Sequence, residues 1–293
     1  STLLKHADVA MYRAKELGKN TYQFYSADMS ARAFERLTLE SSLRHALERG
    51  ELRLFYQPVI DLRNGSICSV EALLRWQHPD FGLVLPNDFI AVLEDTSLIV
   101  PAGEWVLATA CAQLDAWHQQ GWPALRLAVN LSPRQFQGGD LMRVLQPALA
   151  LLHCPPSQLE LEITESMLMQ QSGGNLQMLD ALHALGVCLA IDDFGTGYSS
   201  LSYLRRFPVA TLKIDRSSVR DIPGDPDDSA ITTAITVLAQ SLKLSVIAEG
   251  VENEAQRDFL SQLGCHLMQG YLFSKPLPPE EITHLLETRN PRT

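Results

Sequence analysis

The sequence predicts an α/β protein whose mainly parallel sheet closes as a TIM-like (β/α)8 barrel with an antiparallel first strand. Three observations lead there. From Leu52 onward, eight short β-rich runs alternate with helical stretches, the pattern of βα units on a parallel sheet. The first two runs are joined only by Leu62-Arg63-Asn64-Gly65-Ser66, too short for a helical crossover, and Asn-Gly is a strong hairpin turn, so this pair runs antiparallel. Polar side chains gather at the carboxyl ends of successive apolar runs, the ends that converge on one mouth of a barrel. A doubly wound open sheet is the competing arrangement, but no Gly-rich dinucleotide loop follows any early strand.

The 293 residues are 46% hydrophobic and 20% charged, enough apolar material for a large core and too much for a disordered or fibrous chain. No apolar run approaches the roughly 20 residues that cross a bilayer; the longest, Val144–Cys154, is broken by Gln146 and Pro147 and reads as a short core helix. The first residues lack the basic-then-apolar layout of a signal peptide. Net charge is −10, which argues against sequence-independent binding to a nucleic-acid polymer. Cys68, Cys111, Cys154, Cys188 and Cys265 include no C-x-x-C pair and read as buried thiols in a reducing compartment.

The elements run in order along the chain. Asp8–Leu17 has helical spacing and Gly18 is its stop; Thr21–Tyr25 is strand-like; Ser30–Gly50 is a longer helix with Leu37, Leu39, Leu43, Ala46 and Leu47 as its apolar stripe. The β-rich runs are Leu52–Asp61, Ile67–Trp76, Leu125–Leu131, Leu159–Thr164, Val187–Asp192, Thr211–Asp215, Ser245–Glu249 and Cys265–Phe273. Helical stretches lie around Pro101–Gln120, Asp140–Leu152, Asn175–Leu185, Ser199–Arg206, Ser229–Leu242, Glu254–Leu263 and Pro279–Thr288. The chain begins without Met, in mid-element, and reads as a fragment of a longer protein.

At the run ends stand Glu71, Asn130, Glu162, Asp192 with Asp193, Lys213 with Asp215, Glu249 and Gln269. Any one could be a solvated side chain. A carboxylate, amide or ammonium on successive strands would be an odd accident. Glu71, Glu162, Asp192, Asp193 and Glu249 together repel by about 4 kcal/mol per close pair at an effective dielectric near 20, so they require bound cations or protons. All-oxygen donors with one amide, and no His or Cys, favour Mg2+ or Mn2+ over Zn2+. Two ions would clamp the attacking and leaving oxygens of a phosphoryl transfer, and Lys213 supplies a cation for the charge that develops there; a buried salt bridge from Lys213 to Asp215 or Asp192 is its bland alternative. Asp192–Ser200 is a glycine-containing loop entering a helix. Its Asp193-Phe194-Gly195 matches the kinase tripeptide, but no kinase glycine loop or H-R-D accompanies it.

These residues also carry a resemblance. SVEALLRWQHP, YQPVIDL, VNLSPRQF, LELEITES, AIDDFGTGYSSLSYL, LKIDRS, IAEGVE and QGYLFSKP together resemble the EAL family of cyclic di-GMP phosphodiesterases over roughly residues 35–290. The resemblance implies a barrel with an antiparallel first strand and hydrolysis of one phosphodiester of cyclic di-GMP to linear pGpG. It implies two Mg2+ or Mn2+ ions per site, with Ca2+ inhibitory. Carried across by motif, Glu71, Asn130, Glu162 and Asp192 match first-metal ligands, and Asp192 is shared with a second ion held with Asp193 and Glu249. Glu249 matches the general base and Lys213 the contact to the nucleophilic water; Gln269 supports the water network. Gln57 and Arg75 match contacts to guanine and phosphate, with Asp215 and Pro276 assigned to the substrate side, and Glu165 matches the anchor of the Asp192–Ser200 loop. Ser97 replaces a usual Gly and Ser218 a usual aromatic.

The first 25 residues resemble the tail of a GGDEF diguanylate cyclase domain. Gly138-Gly139-Asp140, followed by Leu141, lies in the barrel body and is not that domain's active-site motif, so this chain is not expected to make cyclic di-GMP. The expected organisation is residues 1–28 as the remnant, 29–50 as a connector helix and 51–293 as the phosphodiesterase domain. A homodimer in a bacterial cytoplasm is expected, from a parent fused to GGDEF and sensory domains and open to membrane anchoring. The rival from another class is a catalytically inactive cyclic di-GMP receptor, which typically lacks metal ligands that are all present here. A metal-dependent barrel lyase is disfavoured by Arg75 and the family blocks.

Overall fold

The computed structural model describes residues 4, 6, 7, 10, 11, 21–26, 38–137, 141–150, 152–169, 173–196, 204 and 207–290. Two compact units are present, one made of residues 1–52 and 76–99, the other of 53–75 and 100–293.

The larger unit is built on a ring of strands. β1 (Leu52–Asp61) and β2 (Ser66–His78) meet through the Asn64-Gly65 turn, where Gly65 N–H donates to the Asp61 carbonyl (2.8 Å) and Asn64 Oδ1 accepts from Ser66 N–H (3.0 Å). Asn is suited to this because its short amide bonds the backbone two residues on. The sheet continues through β3 (Gly82–Val84), β4 (Arg126–Asn130), β5 (Leu159–Thr164), β6 (Cys188–Phe194), β7 (Thr211–Ile214), β8 (Ser245–Ala248) and β9 (Leu267–Met268). Its order is β1-β9-β8-β7-β6-β5-β4-β2-β3, and a β1–β2 pairing closes eight strands into a barrel, with β3 appended to β2. Neighbours from β2 through β4 to β9 run parallel, and β1 opposes β9. The expected barrel with its antiparallel first strand is therefore the observed one. Leu127, Leu161, Ile163, Leu189, Ile191, Leu212 and Ile214 have no exposed surface. Such near-continuous apolar runs suit strands covered on both faces.

The crossovers are α2 (Ile99–Gln119), α3 (Pro133–Gln137), α4 (Leu141–Ala150), α5 (Glu165–Met169), α6 (Gly173–Ala184), α7 (Arg216–Val219), α8 (Pro226–Ser241), α9 (Glu254–Gln262) and α10 (Pro279–Arg289). Start signals are local. Asp225 accepts from Asp227 and Asp228 N–H to cap α8, and Asn253 with Gln256 forms a capping box on α9. In the smaller unit α1 (Pro86–Asp95) buries Phe89, Val92 and Leu93. There Trp76 stacks edge-on with Phe89 at 5.8 Å and donates to Glu51 Oε2 at 3.0 Å.

Several expectations change. The short β3 and the helices α1, α3, α5 and α7 were not among those expected, because three to five residues carry no readable period and α1 comes directly after a strand hairpin. The expected run Cys265–Phe273 narrows to Leu267–Met268, since the chain turns at Gly270 with Phe273 N–H on its carbonyl. Thr21–Tyr25 is not a strand: residues 21–26 have no regular structure, and an extended segment becomes a strand only through a hydrogen-bonded ladder. Of Ser30–Gly50 the described part is helical over 38–46. Most of Asp8–Leu17 and Ser199–Arg206, and all of Gly138–Asp140, lie outside the described residues. Ser97 has φ +63°, the left-handed region where Gly is the better residue. All five cysteines are free.

Candidate active site

Parallel pairing sets the heights of the polar residues. Asn130 is the register partner of Glu162, and Asp192 that of Thr164. Glu71 does not end its strand as expected. It pairs with Ala128 in the middle of β2, which continues past it to His78 and pairs there with β3.

Lys213 stands at the centre. Its Nζ lies 2.6 Å from Glu249 Oε1, 2.7 Å from Glu162 Oε1 and 3.4 Å from both Glu71 Oε2 and Asp192 Oδ1, and the side chain is 1% exposed. Asp215 faces elsewhere: its Oδ1 accepts from Ser217 N–H (3.0 Å) and Ser217 Oγ to cap α7. One ammonium faces four carboxylates, with Asp193 next in sequence. Burial pushes the Lys213 amine down, but the surrounding carboxylates outweigh it and hold it well above the usual lysine range. Burial and the charge of Glu71 push Glu162 well up. Burial, offset by Lys213 and reinforced by Asp192, pushes Glu249 to about 8. Burial and Asp192 push Asp193 to about 6. Glu71 goes the other way: burial raises it, but Lys213 and hydrogen bonds from Gln269 and Asn130 bring it below the ordinary value.

The donor set fits a hard divalent ion. Glu162 Oε1 and Oε2 and Asp192 Oδ1 are buried without a hydrogen-bond partner, while Glu162 Oε1 and Asp192 Oδ1 lie 2.7 and 3.4 Å from Lys213 Nζ. Buried acceptors of that kind are where a cation is accommodated. Among the described residues no three Asp, Glu, His or Cys side chains already stand together as a ligand set.

A chain of amides frames this cluster. Asn130 Nδ2 donates to Glu71 Oε1 (2.6 Å), Gln269 Nε2 donates to Glu71 Oε2 (2.7 Å) and Gln57 Oε1 (3.0 Å), and Gln57 Nε2 donates to the Ser274 carbonyl (3.0 Å). The Tyr56–Leu277 bridge brings Pro276 alongside the strand that bears Gln57. Arg75 is 7% exposed, lies 5.8 Å above the Phe55 ring and donates to the Leu74 carbonyl (2.9 Å). Burial lowers its basicity, countered by Tyr271 and Glu71. Tyr271 and the Ser274 carbonyl were missed. A backbone acceptor leaves no sequence signal, whereas an aromatic after Gly270 in the QGYLFSKP block could have been noticed; Tyr271 is 54% exposed with Lys275 Nζ 5.5 Å from its ring.

Asp192 and Asp193 emerge from a register shift between Ile191 and Phe194, and Asp193 takes φ +55°. A bulge re-aims side chains in this way. Gly195 comes next at φ +103°, where a Cβ would meet Ile235 Cδ1 at 2.8 Å, and its N–H donates to Glu165 Oε2 at 3.3 Å. Residues 197–200 of the loop lie outside the described residues. Glu165→Ala removes that acceptor two residues beyond Asp193. The expected result is unchanged circular dichroism with divalent-cation affinity about tenfold weaker, the lower end for a residue supporting ligands, read by titration calorimetry; wild-type affinity and activity would remove the anchoring role.

An EAL domain model matches residues 40–276. The chain is 48% identical over 280 residues to the bifunctional diguanylate cyclase/cyclic di-GMP phosphodiesterase MucR of Pseudomonas aeruginosa, covering 96% of this chain and 41% of that protein. It is 42% identical over 278 residues to the cyclic di-GMP phosphodiesterase PdeR of Escherichia coli K12, covering 95% and 42%. It thus spans about two fifths of the length of these curated relatives. The solved structure of the PaMucR phosphodiesterase in complex with c-di-GMP superposes with a TM-score of 0.81 at 47% identity, covering 84% of this chain and 99% of that one. With the barrel, the carboxylate mouth and this match over most of its length, the chain belongs to the EAL-domain family.

Proposed function

We propose that this domain hydrolyses one phosphodiester bond of cyclic di-GMP to give linear pGpG. The observation that carries the reading is the buried mouth in which Glu71, Glu162, Asp192 and Glu249 surround Lys213 at 2.6–3.4 Å. Glu71, Asn130, Glu162 and Asp192 would hold one Mg2+ or Mn2+, and Asp192, Asp193 and Glu249 a second. When bound, such ions stabilise negative charge on phosphoryl oxygens and activate water.

The side chains do the rest. A water oxygen forms a bond to phosphorus, one P–O bond breaks, and the departing sugar oxygen takes up a proton. Glu249, pushed to about 8, is matched to exchanging a proton with that water near neutral pH. Lys213, fixed in a water-poor site, faces the charge that grows on the phosphoryl group. Gln57 and Arg75 position a guanine and a phosphate, Arg75 through its planar fork, with Pro276 flanking them. The test is incubation with cyclic di-GMP and Mg2+, Mn2+ or Ca2+, followed by chromatography. Linear pGpG with Mg2+ or Mn2+ and none with Ca2+ supports the reading; binding without cleavage under all three would make the domain a receptor.

The carboxyl shifts give a pH expectation. Glu249 at about 8 and Asp193 at about 6 lie above the usual carboxylate values near 4, so the folded, metal-free domain holds protons that the unfolded chain releases. That stabilisation is complete below about pH 4 and is lost as pH rises through 6 and then 8. Cations need the deprotonated groups, so their binding strengthens over the same interval. The rise in Tm produced by Mg2+ is therefore expected to be larger at pH 8.5 than at pH 6; an equal rise at both would show that these carboxyls do not hold the ion.

The proposal extends to residues 1–28 as a GGDEF remnant, 29–50 as connector, 51–293 as the catalytic domain, and a homodimer in a bacterial cytoplasm within a longer sensory protein. Among the described residues no helix is long and apolar enough to cross a membrane.

A further inference from the structure

We propose that Gln135, seated on Gly103, is a positioning residue for Asn130 and thereby sets the affinity of the site for divalent cations. The inference rests on Asn130 being a cation ligand, as proposed above. Asn130 is the last residue of β4, exposed at the mouth, and among the described residues its side chain makes one hydrogen bond, to Glu71. The turn from Asn130 into α3 governs how firmly that amide is held. Leu131, 4% exposed, donates its N–H to the Glu162 carbonyl (2.9 Å). Ser132 and Gln135 then bond reciprocally: Gln135 N–H donates to Ser132 Oγ (3.3 Å), and Ser132 N–H donates to Gln135 Oε1 (3.1 Å). With Pro133 as the first helical residue, this is the capping-box arrangement.

The far end of the Gln135 side chain reaches α2. A Cβ on Gly103 would lie 1.9 Å from Gln135 Nε2 and 2.5 Å from its Cδ, so the amide occupies the space where any other residue would carry its side chain. Gln135 is 9% exposed and lines a cavity of about 140 Å3 with Val100, Leu107, Leu141 and Val144. Truncating it deprives the Ser132 N–H of its acceptor. Gln135 thus joins the turn after Asn130 to a rigid helix, the kind of support that keeps a ligand oriented.

The test is calorimetric titration of metal-free protein with Mn2+, for wild type, Gln135→Ala, Gly103→Ala, Gln135→Glu and Asn130→Ala, well below each Tm. Gln135→Ala and Gly103→Ala are expected to bind Mn2+ about tenfold more weakly, and Gln135→Glu, which still accepts from Ser132, within about twofold of wild type. In turnover, the half-saturating Mg2+ concentration rises by the same factor while kcat falls by less. If Gly103→Ala fails to fold, Gln135→Ala carries the test. Weakened binding by Asn130→Ala with wild-type affinity in Gln135→Ala, even at a lowered Tm, would make Gln135 merely structural and overturn the inference. Unchanged affinity in Asn130→Ala would overturn the cation reading of Asn130 itself, and the inference with it.

Discussion

Glu71→Ala is expected to abolish Mg2+-supported hydrolysis of cyclic di-GMP, lowering kcat by about 10³-fold or more. The figure comes from losing several kcal/mol of charge stabilisation at roughly 1.4 kcal/mol per tenfold in rate. The site protects the ionised form of Glu71: Asn130 and Gln269 both donate to it and Lys213 lies 3.4 Å away. Burial alone would raise its pKa, and those partners reverse the direction. Removing it also leaves the buried Gln269 Nε2 without one of its two acceptors. Glu71→Gln separates charge from shape, because the amide oxygen still accepts hydrogen bonds. It is expected to keep a near-wild-type Tm while losing cation affinity and turnover. Wild-type kcat in either variant would remove Glu71 as a ligand.

Lys213→Met has the second large effect, on stability as well as rate. Four carboxylates within 3.4 Å of one ammonium are compensated by it; without it they repel in a site excluded from water. Removing one member of a buried charge group costs about 3–5 kcal/mol, and at 2–4 °C per kcal/mol for a chain this large, metal-free Tm falls by roughly 10 °C. Protons partly replace the lost charge, so the drop is expected to be smaller at pH 5.5 than at pH 8. Added Mg2+, a cation for the same oxygens, recovers part of it. The rate is expected to fall by about 10²–10³ even with Mg2+ saturating, as when a preorganised charge facing a transition state is deleted, while cyclic di-GMP binding measured in Ca2+ changes much less. Equal losses in binding and kcat would reassign Lys213 to holding the substrate. An unchanged metal-free Tm would mean that the carboxylates do not depend on it.

Much of the site was legible because parallel strands of a barrel end at one rim. Asn130, Glu162, Asp192, Lys213 and Glu249 are near neighbours in space through that topology alone, although 119 positions separate Asn130 from Glu249. Glu71 was legible as a member but misplaced at the end of its run, which continues past it to Trp76 in the sequence and to His78 in the fold. Ser132-Pro133-Arg134-Gln135 carried the S-x-x-Q cap pattern, yet nothing local indicated that its glutamine would lie against Gly103.

The order of apolar runs, the Asn64-Gly65 turn and the donor types at the strand ends are properties of the chain read in one dimension: they determined the barrel and its reversed first strand and pointed to a hard cation, because side-chain period and turn preference are local. Only the folded molecule decided that Lys213 faces Glu71, Glu162, Asp192 and Glu249 at once, while Asp215 turns away to cap a helix. Those choices depend on distances between segments remote in sequence and on burial, which strengthens each charge interaction in proportion to the water it excludes.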